Sequence, residues 1–310
     1  MEIQSLSVVV PTNGCINNCP FCVNRMHAND YKNLITAPTN KSEKSESWKK
    51  RETAKRNYIN RLAFARDNGC NTAMLTGCGE PQQNMNFIRL FAEMNKQLDK
   101  PFRNIEIQTT GTKITEDTID ELANCIGITT VSLSVSCLCS EKRNAFVING
   151  EQFPISLFVL CKQIKKYGMN LRLSLNVTKD LFHLLTDNDN YNNNYELVFM
   201  QCKTFFADQI TFRRMFASDT ESPQNDWIKS HRLDNEDEWF AGLNNYVKTN
   251  GRFLNNLEHG NSRYSVEGMS VVIDEDCMAK NKDKTSLKYL ILRPNCKLYT
   301  QWDDEGSLLF

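Results

Sequence analysis

Three cysteines lie within eight consecutive positions near the start of the chain. Cys15, Cys19 and Cys22 form a C-x3-C-x2-C pattern directly after an apolar, strand-like run. Thiolates this close together are typical of a site for a soft metal, which favours zinc or an iron–sulfur cluster over hard cations. A structural zinc site normally closes with four ligands, and no second Cys or Cys/His pair follows at such spacing. Three ligands on a cubane cluster would leave one iron open to a non-protein ligand, and so to chemistry.

A glycine-rich turn with a single carboxylate is the second candidate. It reads Gly77-Cys78-Gly79-Glu80-Pro81 and follows the second predicted strand. Two glycines let a backbone approach a ligand closely, and a carboxylate presented from such a turn suits an ammonium group. Cys78 would place a further thiol beside the site.

The elements that must position these residues alternate between strand and helix. Strands are predicted at 5–12, 72–76, 104–109, 130–136, 170–177 and 208–216. Helices are predicted between them at 52–67, 84–98, 115–125, 155–167 and 195–205. This order predicts a parallel β/α architecture, in which the carboxyl ends of the strands share one edge.

Polar and apolar residues alternate along the later strands, so one face of each strand is polar. A sheet with helices on both faces would have continuous apolar strands, so the alternation favours an open barrel around a polar cavity over a doubly wound sheet; an exposed sheet face is the alternative. Arg172 and Arg213 lie on the polar face and are candidates to bind a substrate carboxylate or phosphate. Each could instead form a structural ion pair with Glu106 or another acid.

The cysteine pattern and the Gly-x-Gly-Glu-Pro turn, in this order and each after a strand, resemble the radical S-adenosylmethionine superfamily. The subfamily is not identified. The resemblance covers residues 5–216 and implies a partial (β/α)6 TIM-like barrel, in the α/β class, with a C-terminal α+β appendage. It also implies that Cys15, Cys19 and Cys22 hold one 4Fe-4S cluster, and that the methionyl amine and carboxylate of S-adenosylmethionine (AdoMet) chelate the fourth iron.

Contacts to AdoMet are implied by the same resemblance. Phe21 would present its backbone to the adenine. Gly77, Gly79 and Glu80 would bind the methionine amine, with Glu80 as its direct partner, although Cys78 departs from the commoner Gly-Gly-Glu-Pro form. The other cofactor-binding residues expected from the resemblance are Thr109, in the turn after strand three, and Ser134 and Asn176, on strands four and five.

The implied reaction is reductive cleavage of AdoMet to methionine and a 5′-deoxyadenosyl radical, which abstracts hydrogen from a polar substrate such as a small molecule, nucleotide or peptide. The candidate catalytic residues are Cys78, Arg172, Arg213 and Cys137. Cys137 and Cys139 could donate a hydrogen atom or join a second cluster, or they could be buried small residues. An electron donor such as flavodoxin or ferredoxin is the expected partner.

Two other functions remain open on the sequence. An RNA-modifying enzyme of the same superfamily has local support only from the lysine-rich segment 41–56. A non-catalytic iron–sulfur or metal-binding protein on the same fold is the other. Charge is balanced, with 37 Lys+Arg and 37 Asp+Glu, so no overall field draws the protein to nucleic acid or to an anionic membrane.

The remaining expectations concern location and organisation. The start lacks the basic region of a signal peptide and no apolar run could span a bilayer, so we expect a cytoplasmic protein. Residues 1–216 are expected to form the barrel, with a mobile insertion at 37–50, and 217–310 a helix and β-hairpin that cap it. Residues 251–273 are expected to be irregular. Cysteines expected to be buried small residues are Cys70, Cys125, Cys161 and Cys202.

Overall fold

A computed structural model describes most of the chain. The described residues are 2–22, 35, 45–139, 141–149, 156–182, 194–217, 221–257, 261–275, 286–302 and 307–310. Their strands are β1 (Glu2–Val10), β2 (Thr72–Gly77), β3 (Asn104–Thr109), β4 (Thr130–Val135), β5 (Asn170–Val177), β6 (Gln209–Arg214), β7 (Arg252–Asn256), β8 (Ser262–Val266), β9 (Met269–Asp274), β10 (Ser286–Leu292) and β11 (Leu298–Tyr299).

Eight helices accompany these strands in the described residues. They are α1 (Glu46–Asp67), α2 (Met85–Lys96), α3 (Glu116–Asp120), α4 (Glu141–Asn149), α5 (Leu157–Lys166), α6 (Tyr195–Thr204), α7 (Pro223–His231) and α8 (Glu236–Asn250). A π-helical stretch, Glu121–Ile126, continues α3, and short 3-10 turns span Pro81–Asn84 and Lys179–Phe182.

The strands form one sheet in the order β11-β10-β1-β2-β3-β4-β5-β6-β9-β8-β7. Every pair from β10 to β9 in this order is parallel. The six predicted strands are therefore confirmed as a parallel α/β sheet, and β9 and β10 from the C-terminal third extend it on both sides. The carboxyl ends of all eight parallel strands meet at one edge, which is where sites form in β/α barrels.

The predicted alternation is visible in the burial of β5. Leu171, Leu173 and Leu175 are fully buried on the outer face, where helices pack. Arg172 and Asn176 lie on the opposite, concave face. Burial of the outer face against the helices supplies the hydrophobic core, whose largest fully buried side chains include Tyr58, Phe87, Phe91, Phe199, Phe212 and Phe240.

The barrel is not closed by backbone hydrogen bonds between β9 and β10 in the part of the chain described. The outer edge of β9 pairs with β8, and that of β10 pairs with β11, both antiparallel. Those edges are occupied, and a side-chain contact joins the two strands among the described residues: Lys288 Nζ lies 3.3 Å from Asp274 Oδ1. An ion pair thus spans the gap of an open barrel.

Several predicted boundaries were wrong. Helix α1 begins at Glu46, not at 52, because the Ser45 hydroxyl caps it by accepting a hydrogen bond from the N–H of Trp48 at 3.2 Å. The predicted insertion therefore loses 46–50 to the helix, and 37–44 lie outside the described residues. Residues 251–273 contain three strands and are not irregular. The hairpin predicted near the C-terminus is confirmed as β10 and β11.

Four cysteines were expected to be buried small residues. Cys70, Cys161 and Cys202 are buried as predicted, but Cys125 is exposed, because it lies in the π-helical stretch on a side away from the core.

Among the described residues, none of the helices has both the length and the hydropathy required to cross a bilayer.

Candidate functional site

The cysteine loop, residues 11–22, leaves the carboxyl end of β1 and is held by its own backbone. The N–H of Cys22 donates to the carbonyl of Cys19 at 3.2 Å, and the N–H of Asn17 donates to Cys15 Sγ at 3.4 Å. The N–H of Asn18 donates at 2.9 Å to the penultimate carbonyl of α4. These bonds give the three cysteines a defined loop at the sheet edge where the carboxyl ends of the parallel strands meet.

The thiols of this loop interact with one another. Burial, followed by the nearby Cys22 and Cys15, raises the pKa of Cys19, and burial raises the pKa of Cys15. Ionising Cys15 and Cys19 is therefore unfavourable unless a cationic centre neutralises them. Within the described residues, no three His, Cys, Asp or Glu side chains are grouped to hold a single ion. A cluster binds each thiolate at a separate iron, and three thiolates on one loop are a donor set that fits a cluster.

The glycine turn after β2 packs directly against the cysteine loop. A Cβ placed on Gly79 would lie 2.5 Å from both the carbonyl oxygen of Gly14 and Thr12 Oγ1, and 3.2 Å from Cys15 Cα. A Cβ on Gly77 would lie 3.0 Å from two backbone oxygens. Only glycine fits at Gly79 without displacing the loop, so the two sequence motifs form one structural unit.

Glu80 is almost completely buried, with 2% of its surface exposed. Its carboxylate accepts hydrogen bonds from Asn17 Nδ2 at 3.0 Å, from the N–H and Oγ1 of Thr110 at 3.1 and 2.7 Å, and from Thr109 Oγ1. Burial raises the pKa of Glu80, while these bonds oppose the shift. Both carboxylate oxygens therefore face protein donors, and direct pairing of Glu80 with the methionine amine stays a prediction.

The polar residues predicted on β4 and β5 come together on the concave face. Asn176 Nδ2 donates to Ser134 Oγ at 3.1 Å and to Ser136 Oγ at 2.9 Å. Asn176 is also the register partner of Arg213 on β6. Ser134, Asn176 and Arg213 thus form a polar wall near the edge where the carboxyl ends of the strands meet.

The two candidate arginines differ in position and in partners. Arg172 is near the amino end of β5, where it forms an ion pair with Glu106 and donates to Gln209 Oε1 at 2.9 and 2.6 Å. Arg213 is one residue from the carboxyl end of β6, and its buried Nε has no hydrogen-bond partner in the described part of the chain. The geometry favours Arg213 over Arg172 as a group that a ligand could contact.

The other candidate cysteines lie near the same edge. Burial raises the pKa of Cys78 to about 11, although the nearby Arg293 lowers it. The Cys78 side chain packs on a small apolar cluster formed by Val9, Tyr289, Ile291 and Tyr299. Cys137 is buried, and its hydrogen bond with Cys139, together with burial, raises the pKa of Cys139. Cys139 is therefore held as a protonated thiol beside Cys137, and the roles of both stay predictions.

Helix α7 brings to the cysteine loop residues that the sequence reasoning missed. The ring of Phe21 lies 5.6 Å from that of Trp227, which stacks on His231 at 4.0 Å. A cavity of about 220 Å³ opens beside these rings, and Asn18 and Pro20 of the cysteine loop contribute to its lining. The pair Ser222-Pro223 is a helix-start signal that could have predicted α7, since Ser222 caps the helix and proline fits its first turn.

Comparison with known families agrees with this geometry. The sequence model of the Radical SAM superfamily matches residues 9–189, more than half of the chain. The chain belongs to this superfamily. Radical SAM enzymes use a 4Fe-4S cluster and AdoMet, so the cysteine loop and the glycine turn are the segments expected to hold them. No curated protein matches the chain.

Solved structures show the same fold at low identity. Native anSMEcpe with bound AdoMet is 14% identical with a TM-score of 0.56, and the match covers 99% of this chain and 77% of that one. Native anSMEcpe with bound AdoMet and Cp18Cys peptide is 14% identical with a TM-score of 0.54, covering 81% of this chain and 61% of that one. This chain therefore spans about three-fifths of the latter protein's length. At such identities the likeness shows the fold alone.

Proposed function

We propose that this protein is a radical SAM enzyme that reductively cleaves AdoMet and abstracts hydrogen from a polar, anionic substrate. One observation carries the proposal: the Gly79 turn packs against the C-x3-C-x2-C loop, and both lie on the sheet edge that also bears Asn176 and Arg213. Cluster ligands, AdoMet-binding backbone and a substrate-binding wall would thus share one chamber.

Each group of residues in this chamber would have its own role in the reaction. Cys15, Cys19 and Cys22 would hold the cluster, and Gly77 and Gly79 would let backbone reach the methionine amine. When bound, the cluster and AdoMet supply the electron and the 5′-deoxyadenosyl radical. The protein orients the substrate and excludes water, a task that suits a deep concave face between packed strands. Residues 217–310, which supply α7 and the strands beside β1 and β6, would cap the chamber.

Arg213 suggests the substrate class. A guanidinium whose Nε is buried without a hydrogen-bond partner in the described residues is costly, and a ligand carboxylate or phosphate would offset that cost. A peptide is one such ligand, and the anSMEcpe structure with a bound peptide supports considering peptides. The RNA alternative gains no support here, because Lys50 and Lys55 pair with Glu46 and Glu52 on their own helix. Flavodoxin or ferredoxin in the cytoplasm would supply the electron.

The substrate assignment can be tested by substrate-dependent formation of 5′-deoxyadenosine. Reconstituted protein, dithionite and AdoMet would be incubated with carboxylate- or phosphate-bearing metabolites and short peptides, and the product quantified by mass spectrometry. We expect at least one anionic compound to raise product above the uncoupled background. Arg213→Met should lose at least about tenfold of that rise, the size of one charge-assisted contact, while keeping the background.

The matched control is Arg89→Met, which removes an exposed arginine paired with Glu121 on the outside of the fold and should behave as wild type. Stimulation by neutral compounds alone, or an Arg213→Met protein that keeps the full rise, would contradict the anionic-substrate assignment.

A further inference from the structure

Asn17 is an unusual residue within the cysteine loop because it points inward. Only 4% of its surface is exposed, whereas its neighbour Ile16 is 46% exposed. The Asn17 side chain donates to Glu80 Oε2 at 3.0 Å and to Thr110 Oγ1 at 2.9 Å. One side chain therefore ties the cysteine loop to the ends of β2 and β3.

The residue that holds the Asn17 side chain is Glu80, a buried carboxylate whose described hydrogen-bond donors are all neutral. The described hydrogen bonds to Glu80 come from an amide, two hydroxyls and a backbone N–H. Burying a carboxylate among such donors is costly, and buried polar networks of this kind fix one geometry when their members are satisfied. A network that joins three segments at one point sets the position of the loop.

The same residue contacts a cluster ligand through its backbone. The Asn17 N–H donates to Cys15 Sγ at 3.4 Å, so the side-chain bonds of Asn17 also determine where this N–H points. Hydrogen bonds to the ligand sulfurs help to set the reduction potential of iron–sulfur clusters, because they stabilise the more negative, reduced state. The Gly79 contact with Gly14 and Cys15 fixes the loop at a second place.

We propose that Asn17 is a positioning residue that, held by Glu80 and Thr110, keeps its N–H on Cys15 Sγ and so raises the cluster's reduction potential and slows cluster loss. In this role Glu80 acts through Asn17, as the acceptor that holds its side chain. The proposal rests on the proposed function, since it concerns the cluster of that site.

The test compares Asn17→Ala, Glu80→Gln and the double variant with wild type. Three quantities are measured on reconstituted protein: the midpoint potential by EPR-monitored titration, the rate of iron loss to a chelator, and the AdoMet Kd. We expect both single variants to shift the potential to more negative values and to lose iron on the order of tenfold faster, as for other outer-shell ligand partners. The double variant should do no worse than either single variant, because both changes break one connection.

Two further variants keep the test decisive. Asn13→Ala removes an exposed asparagine from the same loop and should leave potential and iron loss unchanged. Thr110→Val removes one hydroxyl that binds both Asn17 and Glu80, and it should give smaller shifts in the same direction even where Glu80→Gln folds poorly.

The proposal is overturned if Asn17→Ala keeps the reduction potential and the rate of iron loss of the wild type. It is also overturned if the effects of the two single variants add in the double variant, or if Glu80→Gln changes the AdoMet Kd and nothing else. The last result would show that Glu80 acts on AdoMet alone and does not hold Asn17. In each of these cases a wild-type protein that assembles its cluster and cleaves AdoMet leaves the proposed function intact. A wild-type protein that assembles no cluster overturns both.

Discussion

Cys19→Ala protein should emerge from anaerobic reconstitution without the visible absorbance of an iron–sulfur cluster and without AdoMet cleavage. Cys19 is the middle of the three cysteines proposed to hold the cluster, and its loss leaves two local thiolates for a cluster that needs three from the protein. We expect bound iron to fall by at least about tenfold, as metal affinity depends steeply on the ligands and their support. Iron analysis and absorbance spectroscopy measure this directly.

The matched control is Cys202→Ala. Cys202 is fully buried in α6, in the hydrophobic core, so its removal costs some packing but leaves the cysteine loop untouched. Its iron content should equal that of the wild type. Retained cluster absorbance in Cys19→Ala would mean that another thiol, with Cys78 the nearest alternative along the glycine turn, serves as the third ligand.

Gly79→Ala should abolish AdoMet cleavage while the protein stays folded. The added Cβ would overlap the Gly14 carbonyl and the Thr12 hydroxyl, each 2.5 Å away, so the cysteine loop and the glycine turn must move apart. Overpacking of this kind destabilises a protein by about 1–3 kcal/mol, less than the usual stability of a domain of this size. Because a small displacement of reacting groups can lower a rate on the order of a hundredfold, we expect activity to suffer more than stability. Urea unfolding and product analysis separate the two.

The matched control is Gly127→Ala, which replaces a glycine outside the cysteine loop and the glycine turn. Gly127 has φ of +85° but nothing within 4 Å of its added Cβ, so the substitution costs only backbone strain, about 1–2 kcal/mol. It should be destabilised to a similar degree and keep full AdoMet cleavage. Equal activity of Gly79→Ala and Gly127→Ala would show that close packing of the two motifs does not matter for catalysis.

Much of the fold follows from local patterns. The six central strands and their polar face are predictable because the alternation of apolar and polar residues along a strand indicates which face is buried, as in β5. The strands at 252–256 and 262–266 escape prediction because the first of them is wholly exposed and the second only partly buried, so no apolar alternation marks them. The capped start of α1 lies in a segment too rich in charge and serine to show helical periodicity.

The site was predictable in composition but not in contacts. Alternation places both Arg172 and Arg213 on the concave face and makes Glu106 a possible partner of either, yet only the tertiary structure shows that Arg172 is the one that meets Glu106, 66 residues away in the chain. The direction of the Glu80 carboxylate likewise depends on Asn17 and Thr110, which come from different segments. A single sequence can suggest such long-range partners, but the packing of the segments decides which of them meet.

The central claim is that the cysteine loop and the glycine turn together support reductive cleavage of AdoMet. The most direct measurement is the amount of 5′-deoxyadenosine formed by anaerobically reconstituted wild-type protein with AdoMet and dithionite, with Cys19→Ala as the blank. We expect product that depends on both reagents, appears with an equal amount of methionine, and is absent from the blank. Wild-type protein that carries its full cluster but forms no 5′-deoxyadenosine, under conditions in which a known radical SAM enzyme does, would contradict the account.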